Sequence, residues 1–251
     1  MSEQQTPDGD VVVVTGAGQG IGYAIAERFT AVGDTVILTD INEQTGSEAA
    51  RKLGGQFLQL DVSDSTAIAR TADLVHQQYG RIDVLINNAG IAHENDALDV
   101  TDEIWEKVLA VDLRGSFVAC REFGRHFIQQ GHGSIVNISS IAAFMGTNPE
   151  YHVAYDVAKA GVSQLARSLA VEWAQYGVRV NAVAPGRTRT PILDGVGLSD
   201  PTRMQQWIDQ IPQRRLLSPE EIAEAVFFLG NGQSSAVTGQ TLIVDGGQLA
   251  A

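Results

Sequence analysis

The stretch VVVVTGAGQGIG, residues 11–22, decides the fold of this chain. Four consecutive valines predict a strand buried on both faces, and the helix-forming segment AIAERFTAVG follows the glycine-rich turn. Glycines let the backbone approach a pyrophosphate, while free N–H groups and the dipole at the helix N-terminus stabilise its charge. We predict an anionic cofactor at this turn, although a tight strand-to-helix connection without a ligand is the alternative. The predicted contacts are Gly16, Gln19, Gly20, Ile21 and Gly22.

Outward from this unit, apolar β-branched runs alternate with helix-period segments, a pattern typical of a parallel sheet covered by helices on both faces. Seven strands are predicted, at 11–14, 35–39, 55–60, 83–87, 134–139, 179–184 and 241–245. Helices are predicted over 20–32, 43–53, 64–79, 101–130, 155–176 and 219–229, with Thr101 and Ser218 as N-terminal caps. The sequence therefore predicts one α/β domain of the doubly wound Rossmann type over 11–251, preceded by a flexible tail over 1–10.

One long segment, residues 185–220, does not fit this alternation. Its five prolines interrupt long helices and strands. Long excursions from a compact domain are usually functional or disordered, and the apolar side chains here favour a folded segment. We predict a substrate lid over about 187–217.

Composition limits the classes of partner. The 251 residues include 30 acidic and 17 basic side chains, and the formal charge of −13 is opposite in sign to that of a nucleic-acid or anionic-membrane binder. No apolar run reaches the roughly 18 residues that a membrane span requires. His93, His126 and His132 show no metal-ligand spacing. Cys120 is the only cysteine, which favours a reducing location. We expect a soluble cytoplasmic protein that binds no metal, nucleic acid or membrane.

Further motifs follow the glycine turn in a fixed order. The turn itself has the spacing TGxxxGxG, and Asp61-Val62, NNAG at 87–90, Ser140, YxxxK at 155–159, PG at 185–186 and VTGQTLIVDGG at 237–247 come after it. Each motif is short, but together they make the chain resemble the classical short-chain dehydrogenase/reductase family from Val11 to Gln248. The resemblance implies a Rossmann-type fold, a nicotinamide cofactor and interconversion of a secondary alcohol with its ketone.

The choice between NAD and NADP depends on the end of the second predicted strand. Asp40 lies there, 18 residues beyond Gly22, where a carboxylate accepts hydrogen bonds from ribose hydroxyls and repels a 2′-phosphate. Gln19 and Ile41 are neutral where NADP-using relatives often have Arg or Lys. We predict NAD, and a simple helix-capping acid is the alternative for Asp40. The resemblance implies further cofactor contacts from Asp61, Val62, Asn88, Ala89, Gly90, Tyr155, Lys159, Pro185, Gly186, Thr188 and Thr190.

Tyr155 and Lys159 are four residues apart, so on a helix their side chains share one face. An adjacent ammonium favours the phenolate, so we predict Tyr155 as the acid/base. The alternative is an amphipathic helix whose Tyr and Lys face solvent. By resemblance, Lys159 also holds the nicotinamide ribose. Ser140 matches the family's catalytic serine, which hydrogen-bonds the substrate oxygen.

Two features depart from the commonest family pattern. The interval from Ser140 to Tyr155 is longer, and we expect its additional residues, 148–152, to reach the substrate pocket. Asp112 stands where the family usually has Asn as a fourth catalytic member that holds a proton-relaying water beside Lys159. Ionised Asp can only accept hydrogen bonds, and a second charge should shift the titration of its neighbours.

The combined prediction is an NAD-dependent oxidoreductase of small alcohols or ketones. The insertion and the lid segment WIDQIP resemble those of polyol dehydrogenases, which favours a hydroxylated substrate. A non-catalytic, NAD-binding regulatory or scaffold protein of the same fold is the alternative. Arg187 and Arg189 could bind an anionic substrate, but we expect them to be solvated. The resemblance also implies a homotetramer paired through the helices over 101–130 and 155–176 and the C-terminal strands.

Overall fold

The structure, a computed structural model of the chain, describes residues 9–191, 193 and 199–251. The predicted tail thus lies outside the described residues except for Gly9 and Asp10, as do lid positions 192 and 194–198. Asp10 is fixed at the start of the first strand, because its N–H donates to the Asp34 carboxylate (3.0 Å).

Seven parallel strands form one sheet. They are β1 Val11–Thr15, β2 Thr35–Asp40, β3 Gln56–Gln59, β4 Val84–Asn87, β5 Gly133–Ile138, β6 Val178–Pro185 and β7 Thr241–Val244. Their order across the sheet is β3-β2-β1-β4-β5-β6-β7, so the direction of winding reverses between β1 and β4. In an open α/β sheet, ligands bind at the carboxyl ends of the strands at such a switch point.

The helices that connect the strands are close to those predicted. They are α1 Gly20–Thr30, α2 Glu43–Leu53, α3 Ser65–Tyr79, α4 Asp102–Val108, α5 Ser116–Gln130, α6 Val153–Trp173, α7 Pro201–Gln210 and α8 Pro219–Gly230. Thr101 caps α4 and Ser218 caps α8, which confirms both predicted caps. Among the described residues, none of the helices combines the length and the apolar character that a membrane span requires.

Two apolar layers cover the sheet. Val11 and Val13 pack with α3, α5 and α6 on one face, whereas Val12 and Val14 pack with α1, α2 and α8 on the other. Successive side chains of a strand point to opposite faces, so all four valines of β1 are fully buried. The predicted fold class, a single doubly wound α/β domain with a seven-stranded parallel sheet, is confirmed.

Two elements differ from the prediction. The expected single helix over 101–130 contains a π-helical segment, Leu109–Gly115, with Asp112 at its centre. The proline-rich excursion contains a helix, α7, in which Pro201 takes a first-turn position that tolerates it and the Asp200 side chain caps the N-terminus.

The two ends of the excursion meet. Leu217 N–H donates to the Arg187 carbonyl (3.0 Å), and Arg189 N–H donates to the Leu217 carbonyl (2.8 Å). The predicted lid segment is therefore tied to the carboxyl end of β6, at the same edge of the sheet as the switch point.

Candidate active site

The glycine turn leaves the N-terminus of α1 open. Gln19 precedes the helix in an extended conformation without a side-chain cap, and the first turn carries no acidic residue. Gly16 and Gly20 have positive φ angles of 62° and 57°, a conformation that favours glycine. A Cβ atom on Gly22 would overlap the Gly16 carbonyl oxygen, so the helix can approach the turn only with glycine there. This uncapped, close-packed N-terminus fits an anionic group such as a pyrophosphate.

The Asn-Asn-Ala-Gly turn after β4 is fastened to the glycine turn. Thr15 Oγ1 accepts hydrogen bonds from the N–H groups of Asn88 and Ala89, both at 3.0 Å. The Asn88 amide donates to the Thr15 carbonyl (2.9 Å) and the Gly16 carbonyl (3.0 Å). Asn88 and Thr15 thus hold together the two turns that form the anion cradle, the glycine turn and the Asn-Asn-Ala-Gly turn. This role of Thr15 was not predicted from the sequence, although the threonine of TGxxxGxG indicated it.

Asp40 lies at the end of β2, half-buried beside the glycine turn. One carboxylate oxygen accepts the Gly18 N–H and the other accepts the Asn42 N–H, both at 2.9 Å. Each oxygen keeps a second acceptor position, so the carboxylate can cap the turn and still accept two hydroxyl hydrogens. Gln19 and Ile41 are exposed and uncharged beside it.

Asp61 and Val62 follow β3, the strand next to β2. Asp61 is exposed, and its Oδ1 accepts the Ser63 N–H (2.8 Å) and hydroxyl (2.7 Å). Val62 is half-buried. The two residues thus follow the carboxyl end of β3, at the same edge of the sheet as Asp40.

A buried ion pair joins α6 to the π-helical segment. Lys159 Nζ lies 3.2 Å from Asp112 Oδ2, and the two side chains are 5% and 0% exposed. Lys159 also donates to the Ile138 carbonyl (3.0 Å), and Asp112 Oδ1 accepts the Ile91 N–H (2.8 Å). Burial disfavours the ammonium, yet Asp112 and Tyr155 together raise the pKa of Lys159 above its usual value. The contact is direct, rather than through a water as the resemblance implies.

Gly90, in the turn after β4, packs directly against this ion pair. A Cβ atom there would lie 3.0 Å from Asp112 Oδ2 and 3.1 Å from Lys159 Nζ. The glycine therefore lets the backbone approach both charges. The Asn-Asn-Ala-Gly turn consequently contacts the glycine turn at one end and the ion pair at the other.

Tyr155 and Lys159 share one face of α6. Lys159 Nζ lies 5.4 Å from the centroid of the half-buried Tyr155 ring, and burial of the lysine rules out two solvent-facing side chains. Ser140 Oγ accepts the Ala142 N–H (3.1 Å), which leaves its own hydrogen free to be donated. Ser139 instead bonds the Lys159 carbonyl (2.9 Å) and Ser163 (2.7 Å), which is a structural role.

Pro185 ends β6 and Gly186 begins the turn after it, at the same edge of the sheet. Thr188 is 4% exposed and donates to the Gly186 carbonyl (3.0 Å), so its hydroxyl is engaged within its own turn. Thr190 faces the glycine turn, since a Cβ atom on Gly20 would lie 3.4 Å from its methyl group.

Arg187 differs from the expectation of a solvated side chain. It is 12% exposed and pairs with the buried Glu150 carboxylate. The expectation is therefore wrong for this arginine, because a carboxylate on the inserted segment neutralises it. His93 is exposed.

The fold and the site together define a class of protein. An uncapped helix N-terminus at the switch point of a doubly wound sheet is the architecture of dinucleotide-binding enzymes. A tyrosine beside a buried ammonium adds a group suited to proton transfer. We therefore place the chain among the nicotinamide-dependent oxidoreductases.

Comparison with known proteins gives the family. Residues 16–248 match the family model described as Enoyl-(Acyl carrier protein) reductase. The chain is 40% identical over 246 residues to galactitol 2-dehydrogenase (L-tagatose-forming) of Cereibacter sphaeroides, covering 96% of this chain and 95% of the relative. It is 37% identical over 247 residues to an NAD-dependent glycerol dehydrogenase of Listeria innocua, covering 94% and 92%. The crystal structure of gox2181 matches with a TM-score of 0.94 at 35% identity, covering 98% of both chains.

The chain belongs to the classical short-chain dehydrogenase/reductase family. It is an enzyme of that family, an oxidoreductase that acts on a hydroxyl group or its carbonyl counterpart. The comparisons give no support to a non-catalytic binding protein.

Proposed function

We propose that the protein is an NAD-dependent dehydrogenase that interconverts a secondary hydroxyl group of a small polyol and the corresponding ketone. The observation that carries this proposal is the buried Lys159 beside Tyr155, located at the same sheet edge as the uncapped N-terminus of α1. Oxidation of an alcohol couples hydride transfer to proton transfer. It therefore requires a proton-transfer group and an anion cradle for the cofactor at the same edge of the sheet.

The cradle fits NAD in particular. The glycine turn would hold the pyrophosphate, and the two unused acceptor positions of Asp40 fit the two hydroxyls of the adenosine ribose. A 2′-phosphate would meet this carboxylate, and neither Gln19 nor Ile41 offers it a cation. We assign the remaining contacts to Asp61 and Val62 for the adenine, to Asn88, Ala89 and Gly90 along the dinucleotide, and to Pro185, Gly186, Thr188 and Thr190 for the nicotinamide.

The chain's own residues then supply the proton chemistry. In the oxidation direction, the Tyr155 oxygen takes the proton of the substrate hydroxyl, and in reduction it returns that proton. A bound nicotinamide would supply the hydride acceptor in oxidation and the hydride donor in reduction. Lys159 stabilises the phenolate through its charge, and Ser140 donates a hydrogen bond to the substrate oxygen as charge develops there.

A small, uncharged polyol fits the surroundings best. Glu150 neutralises Arg187, so this arginine does not offer a free charge to a carboxylate or phosphate. The galactitol and glycerol dehydrogenases among the relatives act, by their names, on polyols. Both observations support a neutral hydroxylated substrate.

A turnover assay tests the proposal. Formation of NADH would be followed with NAD⁺ and a panel of galactitol, D-threitol, glycerol and 2-propanol, and NADH binding would be measured in parallel. We expect turnover of at least one polyol and slower turnover of 2-propanol. Binding of NADH without turnover of any alcohol or ketone would overturn the proposed activity.

We also propose a homotetramer in a reducing, cytoplasmic location. Val157 and Val171 leave 45% and 84% of their surface exposed on α6, and Leu242 and Ile243 leave 38% and 41% exposed on the edge strand β7. Exposed apolar side chains on two separate elements support two interfaces. Cys120 is a free, buried thiol, which agrees with a reducing location. Sedimentation that gives a single chain would contradict the tetramer.

A further inference from the structure

The segment between Ser140 and Tyr155 has little backbone structure to hold it in place. After a short 3₁₀ turn at Ile141–Ala143, no helix or strand forms until α6 begins at Val153. Within residues 147–152, which we call the substrate loop, the Tyr151 carbonyl accepts the Asn95 N–H at 3.0 Å. Side-chain contacts therefore fix most of the loop.

Arg187 supplies the strongest of these contacts. Its Nη1 and Nη2 donate to the two carboxylate oxygens of Glu150 at 2.8 and 3.1 Å, and Nη2 also donates to the Asn148 carbonyl at 3.3 Å. The Glu150 side chain is 4% exposed. A bidentate guanidinium–carboxylate pair fixes distance and orientation together, and a buried pair is screened little by solvent.

The same guanidinium contacts the lid helix. Its Cζ lies 4.9 Å from the centroid of the Trp207 ring, and Trp207 is 3% exposed. Gln210, one turn further along α7, donates to the Asn148 carbonyl at 3.0 Å. Since Arg187 directly follows Pro185 and Gly186, one side chain joins the substrate loop, α7 and the turn assigned to the nicotinamide.

We propose that Glu150 and Arg187 are positioning residues, which hold the substrate loop and α7 against the turn after β6 and so set the shape of the polyol pocket. This inference rests on the proposed function. A buried ion pair contributes little net stability compared with apolar packing, whereas loss of one partner leaves an uncompensated buried charge. Stability and positioning can therefore be separated by removing one charge or both.

The experiment compares Glu150→Gln, Arg187→Gln and the double variant with the wild type. Each single variant should lower the melting temperature, and the double variant should regain most of the loss because no buried charge is left unpaired. All three should raise the polyol KM about tenfold, as expected for lost substrate binding. Their kcat and NADH dissociation constant should stay within about threefold of the wild-type values. If the KM of the double variant returns to the wild-type value along with its melting temperature, the pair is only structural.

A matched control uses another ion pair of the lid helix. Arg203 of α7 contacts Glu94 at 2.9 Å, but the two side chains are 29% and 47% exposed. Glu94→Gln should leave KM and the melting temperature nearly unchanged, because exposed pairs contribute little. An equal rise in KM for Glu94→Gln would contradict a specific role of the buried pair.

Hydrogen exchange gives a readout that does not depend on activity. Relative to the wild type, the double variant should exchange about tenfold faster in α7 and at the Asn95 amide, which donates to the substrate loop, and should be unchanged in the strands, since local contacts set local opening. Arg187→Lys keeps the charge but loses the bidentate fork, so it should show the same faster exchange. It serves as the test if the other variants do not fold. Unchanged exchange would overturn the inference, whereas a wild type that oxidises no polyol would instead overturn the proposed function.

Discussion

The Asp112 carboxylate contacts two groups that reach the site from different elements. It accepts the Ile91 N–H and lies 3.2 Å from the Lys159 ammonium, and both side chains are buried. An Asn at this position could make the first contact but would carry no charge to balance the ammonium. Asp112 in place of the family's usual Asn therefore changes the charge of the site more than its shape.

We predict that Asp112→Asn improves alcohol oxidation near neutral pH. The carboxylate contributes to the raised pKa of Lys159 and opposes the field of the ammonium at Tyr155. Without it, the ammonium favours the Tyr155 phenolate more strongly, so the acidic limb of the oxidation profile should move to lower pH. The pH dependence of kcat/KM measures this. A limb that moves upward, or loss of turnover, would assign Asp112 a catalytic role of its own.

Tyr155→Phe should abolish nearly all turnover and leave NADH binding close to the wild-type value. The variant loses only the hydroxyl that transfers the proton, while the ring still packs beside α4 and the π-helical segment. Steady-state rates and NADH fluorescence titration measure the two effects. Retained activity would place the acid/base elsewhere, with the exposed Tyr151 as the first candidate.

At the scale of the elements, Asp40 joins the end of β2 to the glycine turn that precedes α1. Its carboxylate accepts the Gly18 N–H, and we propose that it also binds the cofactor ribose. We predict that Asp40→Ala narrows the preference for NAD⁺ over NADP⁺, because the repulsion of a 2′-phosphate is removed. The ratio of kcat/KM for the two cofactors measures this, with Asp61→Ala as a control carboxylate. An unchanged ratio would mean that Asp40 only caps the turn.

Local sequence patterns predict some of the elements and not others. The strands and most helices follow from hydrophobic period and capping residues, which act locally. The π-helical segment instead carries Asp112, whose partners Ile91 and Lys159 are distant in sequence, and no local pattern in LAVDLRG predicts those contacts. Helix α7 was not predicted, because the prolines around it interrupt the hydrophobic periodicity. Its N-terminus is nevertheless regular, with Asp200 as the cap and Pro201 in the first turn.

At the scale of the whole molecule, the sheet brings together residues that are far apart in sequence. The glycine turn, Ser140 and the turn after β6 follow the carboxyl ends of β1, β5 and β6, and Tyr155 lies in the first turn of α6. Motif order was enough to predict these groups. The pairing of Glu150 with Arg187, 37 residues apart, was not predictable, because neither residue belongs to a motif and the two come together only in the folded chain.

The most direct test of the account is the rate of NADH formation by the wild-type protein with a saturating polyol, compared with NADPH formation under the same conditions. We expect turnover with kcat/KM for NAD⁺ at least about tenfold above that for NADP⁺, which corresponds to about 1.4 kcal/mol of repulsion at Asp40. A preference for NADP⁺, or no turnover of any polyol with either cofactor, would contradict it.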